Sequence, residues 1–200
     1  MHLRNLRSFL CVVAVIVGFH GTAFADNEQY RVSRGEIVVV CPLTVGGGFE
    51  AKSQAVSGEV AVGRESTGPI TGSLSVDLRT LKTGIGMRDR HMLDNYLEVD
   101  NGPDFEKATI EDIQIQKLDG KTTFNGTLVL HGERRPITGS ATVERRNGGY
   151  TVQAEFPVRV SEYKIPNPTY LDVGLQDEIL IKVALNVQSA ATTTVAARRQ

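Results

Sequence analysis

The residues best suited to chemistry in this chain lie close together between Thr83 and Leu97. Arg88, Asp89 and His91 fall within four positions of TGIGMRDRHMLDNYL. Guanidinium and imidazole groups donate hydrogen bonds and attract anions, and a neighbouring carboxylate pairs with them. A purely structural interpretation competes with this one. In it, Asp89 complements the dipole at the start of a helix, and Arg88 pairs with a carboxylate of the surrounding fold.

This cluster needs an element to hold it, and the sequence predicts a short helix from Met87 to Leu97. The apolar residues of this stretch recur at helical spacing, and its charged residues fall in the first turns. Gly102-Pro103 then predicts a turn, after which Phe105 is expected to restart an extended pattern.

Most of the remaining chain alternates apolar and polar residues, which is typical of strands with one dry face. The alternation is clear over 70–78, 124–130, 152–160 and 179–187. Asp119-Gly120 and Asn147-Gly148 are hairpin signals, because primed turns need positive φ. These features predict an all-β antiparallel meander. The pattern alone leaves a sandwich and a closed barrel open.

Other nucleophiles and bases are present, but no catalytic motif joins them. His131 lies two residues from Glu133, and Cys41 ends an apolar run, whereas G-x-S-x-G, H-E-x-x-H and C-x-x-C patterns are absent from the sequence. We interpret Cys41 as a small apolar residue packed at a strand end. The sequence therefore predicts no catalytic residue, no metal site and no enzyme, with a hydrolase as the weaker alternative.

The N-terminus predicts export. Arg4 and Arg7 precede an apolar run and a small-residue cleavage site at Ala23-Phe24-Ala25, so residues 1–25 are expected to be a cleaved signal peptide. Removing them takes away two arginines and no acid, which changes the formal charge from −1 to −3. This charge gives no reason to expect nucleic acid as a partner. Residues 26–188 suit one domain, and 189–200 are predicted to be a disordered tail.

The block around the helix resembles the signature of the YceI-like family. The similar features are a Thr-Gly pair, an Arg-Asp-x-His run followed here by Met92, and Phe105 after a proline. The segment Gly126 to Thr138 is similar to a strand pair of that family, and 177–181 is similar to its terminal strand. The resemblance covers roughly Tyr30 to Val187. It implies an extended, lipocalin-like antiparallel β-barrel of about eight strands, with one short helix near the barrel mouth.

This resemblance also implies a function, namely an exported, periplasmic or secreted protein that binds a polyisoprenoid or isoprenoid quinone chain in its lumen. No other cofactor is expected. Transient contact with a membrane is compatible with that role, and the oligomeric state is left open. The inward faces of the predicted strands offer candidate lumen residues: Leu74, Val76, Phe124, Leu128, Leu130, Phe156, Val158, Ile181 and Val183. Arg88, His91, Met92 and Tyr96 are the candidate mouth residues.

An open, ligand-binding lumen and a packed barrel core remain alternatives. Inward apolar residues are also what a filled barrel core requires, so a packed barrel that binds a protein partner fits the same pattern. Small residues at Gly72, Gly126 and Ala154 would leave room for a ligand. Carrier, storage and stress-related roles are not distinguished by the sequence.

Overall fold

The computed structural model describes residues 27–63, 68–69, 71–170 and 173–190. The predicted signal peptide lies outside these residues, as does 191–200 of the predicted tail. The strands of the described part are β1 (Glu28–Pro42), β2 (Gly48–Ser53), β3 (Val56–Val62), β4 (Gly68–Pro69), β5 (Thr71–Asp77), β6 (Lys107–Ile115), β7 (Gly120–Leu130), β8 (Glu133–Arg146), β9 (Gly149–Arg159), β10 (Thr169–Tyr170), β11 (Val173–Gly174) and β12 (Glu178–Ser189). The helices are α1 (Gly86–His91), which continues as a π-helical turn (Met92–Tyr96), and α2 (Pro103–Glu106), with 3-10 turns at Leu78–Thr80 and Val160–Tyr163.

Eight of these strands form a closed antiparallel barrel, as predicted. Its order is β12-β9-β8-β7-β6-β5-β3-β1, and β1 pairs again with β12 from Tyr30↔Ser189 to Val40↔Leu180. Closure leaves no free edge in the ring. The second half of the long β1 also pairs with β2, so β2 extends the wall at one end of the barrel.

The predicted alternation is confirmed along β7, β9 and β12, whereas in β5 it is irregular, since Gly72 of the predicted dry face is exposed. In β9, Phe156 and Val158 are buried while Glu155, Pro157 and Arg159 are exposed. The inward residues divide into two clusters. The smaller one, built around Tyr30 and Leu185, fills one end of the barrel. That end is closed by side chains, whereas the larger cluster surrounds the other end.

The hairpins differ in detail from the prediction. Asp119-Gly120 leads into β7 and Asn147-Gly148 joins β8 to β9, but positive φ occurs only at Gly120 (67°) and Gly148 (77°) in these two pairs. A type I′ turn requires positive φ at both central residues. That condition is met instead between β7 and β8, where His131 has φ 53° and Gly132 has φ 74°.

The predicted helix is confirmed as α1 with its π turn, which ends in a hydrogen bond from the Leu97 amide to the Met92 carbonyl. The prediction that Phe105 restarts an extended pattern is wrong. Phe105 belongs to α2, because Pro103 favours a first helical position. Its ring packs edge-on against His131, with centroids 4.6 Å apart.

Candidate ligand-binding site

The barrel encloses a cavity of about 540 Å³ that opens at the end carrying α1. This volume lies within the usual range for ligand pockets, roughly 300–1,000 Å³. On β12 the lining runs from Ile179 to Leu185, a length of roughly 20 Å at about 3.3 Å per residue. The wall is almost wholly apolar. Its polar side chains are Ser75, Arg88, His91 and Thr169, together with the Cys41 thiol and the Tyr96 hydroxyl.

The structure brings most of the predicted lumen residues to this cavity. Those that border it are Leu74, Val76, Leu128, Leu130, Phe156, Val158, Ile181 and Val183. Phe124 does not border it. The Phe124 ring lies edge-on to Phe156, with centroids 5.9 Å apart, and covers Gly139 on the paired strand. Phe124 is therefore a core residue behind the cavity wall, and we leave it out of the candidate site.

The space itself does not come from the small residues singled out in the sequence, since Gly72, Gly126 and Ala154 do not border the cavity. A Cβ at Gly72 would lie 2.2 Å from the Glu59 carbonyl oxygen, so this glycine permits close strand contact. Room in the lumen is found beside Ala51 and Ala108.

The sequence analysis did not predict one wall of the cavity. It is formed by Ile37, Val39 and Cys41 of β1, with Phe49 of β2. In β1 the run Ile37-Val38-Val39-Val40 is apolar on both faces, so it carries no alternation that would reveal its inward side. Leu175 and Ile165, from the segment between β9 and β12, complete the wall near the opening.

The four predicted mouth residues, Arg88, His91, Met92 and Tyr96, all border the cavity. His91 is exposed and Arg88 is half-buried. The Arg88 guanidinium lies 4.3 Å from the centroid of the Phe49 ring, a cation–π contact. Within the described residues no carboxylate lies within ion-pair distance of Arg88, so the barrel carboxylate expected beside it is not found there. Stacking on Phe49 holds this cation at the opening.

Asp89 has a structural partner rather than a place at the opening. It is buried, and its Oδ1 accepts hydrogen bonds from the Thr83 amide at 2.7 Å and the Thr83 hydroxyl at 2.6 Å. These two hydrogen bonds lower the pKa of the Asp89 carboxyl below its usual value. They tie the loop before α1 to the helix and thereby fix the direction in which Arg88 and His91 point.

Replacing Asp89 with asparagine is expected to lower the free energy of unfolding by about 1.5–3 kcal/mol at pH 7, the range for hydrogen bonds to a charged group. The carboxyl pKa is lower in the folded protein, so this stabilisation is present above the unfolded pKa and is lost as the pH falls through the folded pKa. Urea unfolding of D89N and wild type at pH 7 and in acid measures the difference. D94N, at an exposed position in the π-helical turn that follows α1, is the control. A difference in the free energy of unfolding between D89N and wild type that stays constant into acid would contradict stabilisation by the Asp89 carboxylate.

Cys41 and His131, the other candidates for chemistry, have structural environments. Cys41 is buried, and burial raises the pKa of its thiol to about 11, so the thiol is protonated at neutral pH. The Nδ1 atom of His131 lies 3.0 Å from the Tyr163 carbonyl oxygen, and its Nε2 lies 3.2 Å from the Glu98 carboxylate. His131 thus links the β7–β8 turn to the 3-10 turn that contains Tyr163 and lies beside the loop that contains Glu98.

The described ranges contain no group of three His, Cys, Asp or Glu side chains arranged to hold a metal ion. No helix among them has the length and apolar character needed to cross a bilayer.

A closed antiparallel barrel with an apolar lumen and one helix at its opening is a lipocalin-like architecture. The model of the YceI-like domain matches residues 25–187, and the chain belongs to this family. No curated protein matches the chain significantly.

Two solved structures have the same fold. One is Burkholderia cenocepacia BcnA, with a TM-score of 0.65 and 19% identity, over 78% of this chain and 96% of that one. The other is a polyisoprenoid binding domain from Saccharophagus degradans implicated in plant cell wall breakdown, with a TM-score of 0.58 and 15% identity, over 80% of this chain and 98% of that one. At these identities the likeness establishes the fold.

Proposed function

We propose that this protein is an exported lipid-binding protein whose barrel holds a polyisoprenoid or isoprenoid-quinone-like chain. The observation that carries the proposal is the open cavity of about 540 Å³, whose wall is apolar along its length while Arg88 and His91 lie at its mouth. Such a site matches a molecule with a long hydrocarbon chain and one polar end. The polyisoprenoid-binding description of the S. degradans relative supports the choice of an isoprenoid.

The physical basis of affinity is burial of hydrocarbon. Each CH₂ group moved out of water contributes about 0.8 kcal/mol, so a chain in this lumen binds without a charged contact. The proposed contacts of the chain are the eight predicted lumen residues that border the cavity, together with Ile37, Val39 and Ala108. Tyr96 and Met92 would cover the part of the chain nearest the opening.

Binding rather than catalysis suits the groups around the cavity. A thiol whose pKa is raised to about 11 is a poor nucleophile, and Cys41 is the cysteine on the wall.

Export through the N-terminal segment would place the protein in the periplasm, where a carrier or storage site for isoprenoids has a use. Delivery would require contact with a membrane.

The headgroup would meet Arg88 and His91. Replacing both with alanine is expected to weaken binding of a soluble isoprenyl diphosphate roughly tenfold or more, because hydrogen bonds to charged groups contribute about 1.5–3 kcal/mol. Binding of the uncharged isoprenyl alcohol of the same length is expected to change little. Titration calorimetry measures both ligands. Arg90→Ala is the control, since Arg90 is exposed on the same helix but does not border the cavity. Equal losses for both ligands would refute a role in headgroup binding.

Native mass spectrometry tests the function itself. Protein purified from its own cell envelope is expected to carry an added mass that organic extraction removes and identifies as an isoprenoid. Lipid-free protein that also fails to take up isoprenoids in solution would contradict the proposal. That outcome would favour a packed barrel that binds a protein partner.

A further inference from the structure

The exposed large apolar side chains of the described residues all lie at one end of the barrel. They are Val45, Ile85, Met87 and Val173, with 69, 50, 70 and 37% of their surface exposed. Ile85, Met87 and Val173 also border the mouth of the cavity. We call these four residues the rim patch. Single exposed apolar residues are ordinary on a protein surface, but their collection around one opening indicates an interaction site.

The rim patch is held in place by hydrogen bonds. Val45 lies in the turn between β1 and β2, and the Thr44 amide of that turn donates to the Gly174 carbonyl at 2.9 Å. In return the Gly174 amide donates to the Thr44 hydroxyl at 3.0 Å, next to Val173. Ile85 and Met87 lie at the start of α1, which the Asp89–Thr83 hydrogen bonds anchor. The apolar side chains are therefore presented to solvent by ordered segments.

The charged residues near the rim patch favour an anionic surface over a second copy of this chain as its partner. Lys82, Arg88 and Arg90 lie within five residues of Ile85 and Met87 along the chain, and Arg90 follows Met87 by one turn on the same face of α1. Asp89 is buried against Thr83, which leaves Asp94 as the exposed acid of the helical segment. Two copies meeting rim to rim would bring these cations together. An anionic surface would complement them.

We propose that the rim patch docks the barrel mouth on an anionic lipid membrane, with its four apolar side chains in the interfacial layer and Lys82, Arg88 and Arg90 at the headgroups. This geometry turns the opening of the cavity toward the bilayer, so that a lipid chain would pass between the bilayer and the cavity without crossing water. Apolar insertion and attraction to anionic lipid add in such interfaces. The inference goes beyond ligand binding in the lumen, and its test uses vesicles without isoprenoids.

Vesicle flotation of the purified protein tests this docking surface. Vesicles of phosphatidylcholine and phosphatidylglycerol in equal parts are expected to bind the protein, and phosphatidylcholine alone to bind it much less. Met87→Asp is expected to weaken binding roughly tenfold or more, because it removes an inserted side chain and adds a repelled charge. Lys82→Gln and Arg90→Gln are expected to cost roughly fivefold each, with the loss reduced in high salt.

Asn147→Asp is the matched control. It adds the same charge at an exposed turn of the opposite end of the barrel and is expected to bind vesicles like wild type. Equal binding by M87D and wild type would overturn the docking surface, as would a rim-to-rim dimer found by analytical ultracentrifugation that M87D disrupts. A protein that binds isoprenoid but no vesicle would refute docking alone, whereas one that binds vesicles but no isoprenoid would refute only the lumen ligand.

Discussion

A tryptophan in place of Ala108 is expected to weaken binding of an isoprenoid chain about a hundredfold or more. Ala108 borders the cavity on β6, beside a space that an indole ring would occupy. Excluding four methylene groups of a ligand forfeits about 3 kcal/mol, which corresponds to at least a hundredfold in affinity. The ring enters space that is already open, so it fills a cavity rather than overpacking a core, and we expect the melting temperature to hold or rise.

Fluorescence titration with a labelled isoprenoid measures this loss, and circular dichroism follows the fold. Ala184→Trp is the matched control, because Ala184 faces outward from β12 and is exposed. It is expected to bind like wild type. If A108W folds normally and binds with wild-type affinity, the lumen is not where the chain lies.

Phe124→Ala is expected to lower the free energy of unfolding by about 3–5 kcal/mol, as is typical when a buried phenylalanine is truncated. Phe124 is 7% exposed, and its ring contacts Phe156 edge-on while covering Gly139. Truncation leaves a void behind the cavity wall and removes an aromatic pair. For a domain of this size the melting temperature should fall by roughly 10 °C.

Ligand affinity separates this core role from a place in the lumen. Measured well below its melting temperature, F124A is expected to bind isoprenoid nearly as well as wild type, because Phe124 does not border the cavity. Phe124→Leu, which preserves most of the volume, should recover most of the lost stability. A large loss of affinity in F124L, at unchanged stability, would place Phe124 among the ligand contacts after all.

Local patterns predicted the parts of this molecule that depend on local geometry. Alternation assigned the inward faces of β9 and β12 because side chains of a strand point to opposite sides with a period of two. Helical spacing located α1. The same rule failed for β1, where both faces are apolar, and turn signals failed to fix turn type, since His131-Gly132 rather than Asn147-Gly148 forms the turn with two positive φ values.

These sequence patterns did not predict the contacts between distant segments. Arg88 stacks on Phe49 across the barrel mouth, and Leu43 pairs with Leu175. No spacing in the chain encodes such pairs, because they arise when the sheet closes. The exposure of the rim patch also follows from closure, since Val45, Ile85, Met87 and Val173 come from three separate segments.

The sequence by itself determined an antiparallel β-protein with one dry face, a helix carrying Arg88 and His91, and its resemblance to the YceI-like family. Only the tertiary structure decided that the lumen is open near α1 and filled near Tyr30, and that Phe124 belongs to the core. The physical reason is that an inward apolar side chain is the same residue whether it meets another side chain or empty space. Which of the two it meets depends on how the eight strands close and on the sizes of the residues that face each other across the barrel.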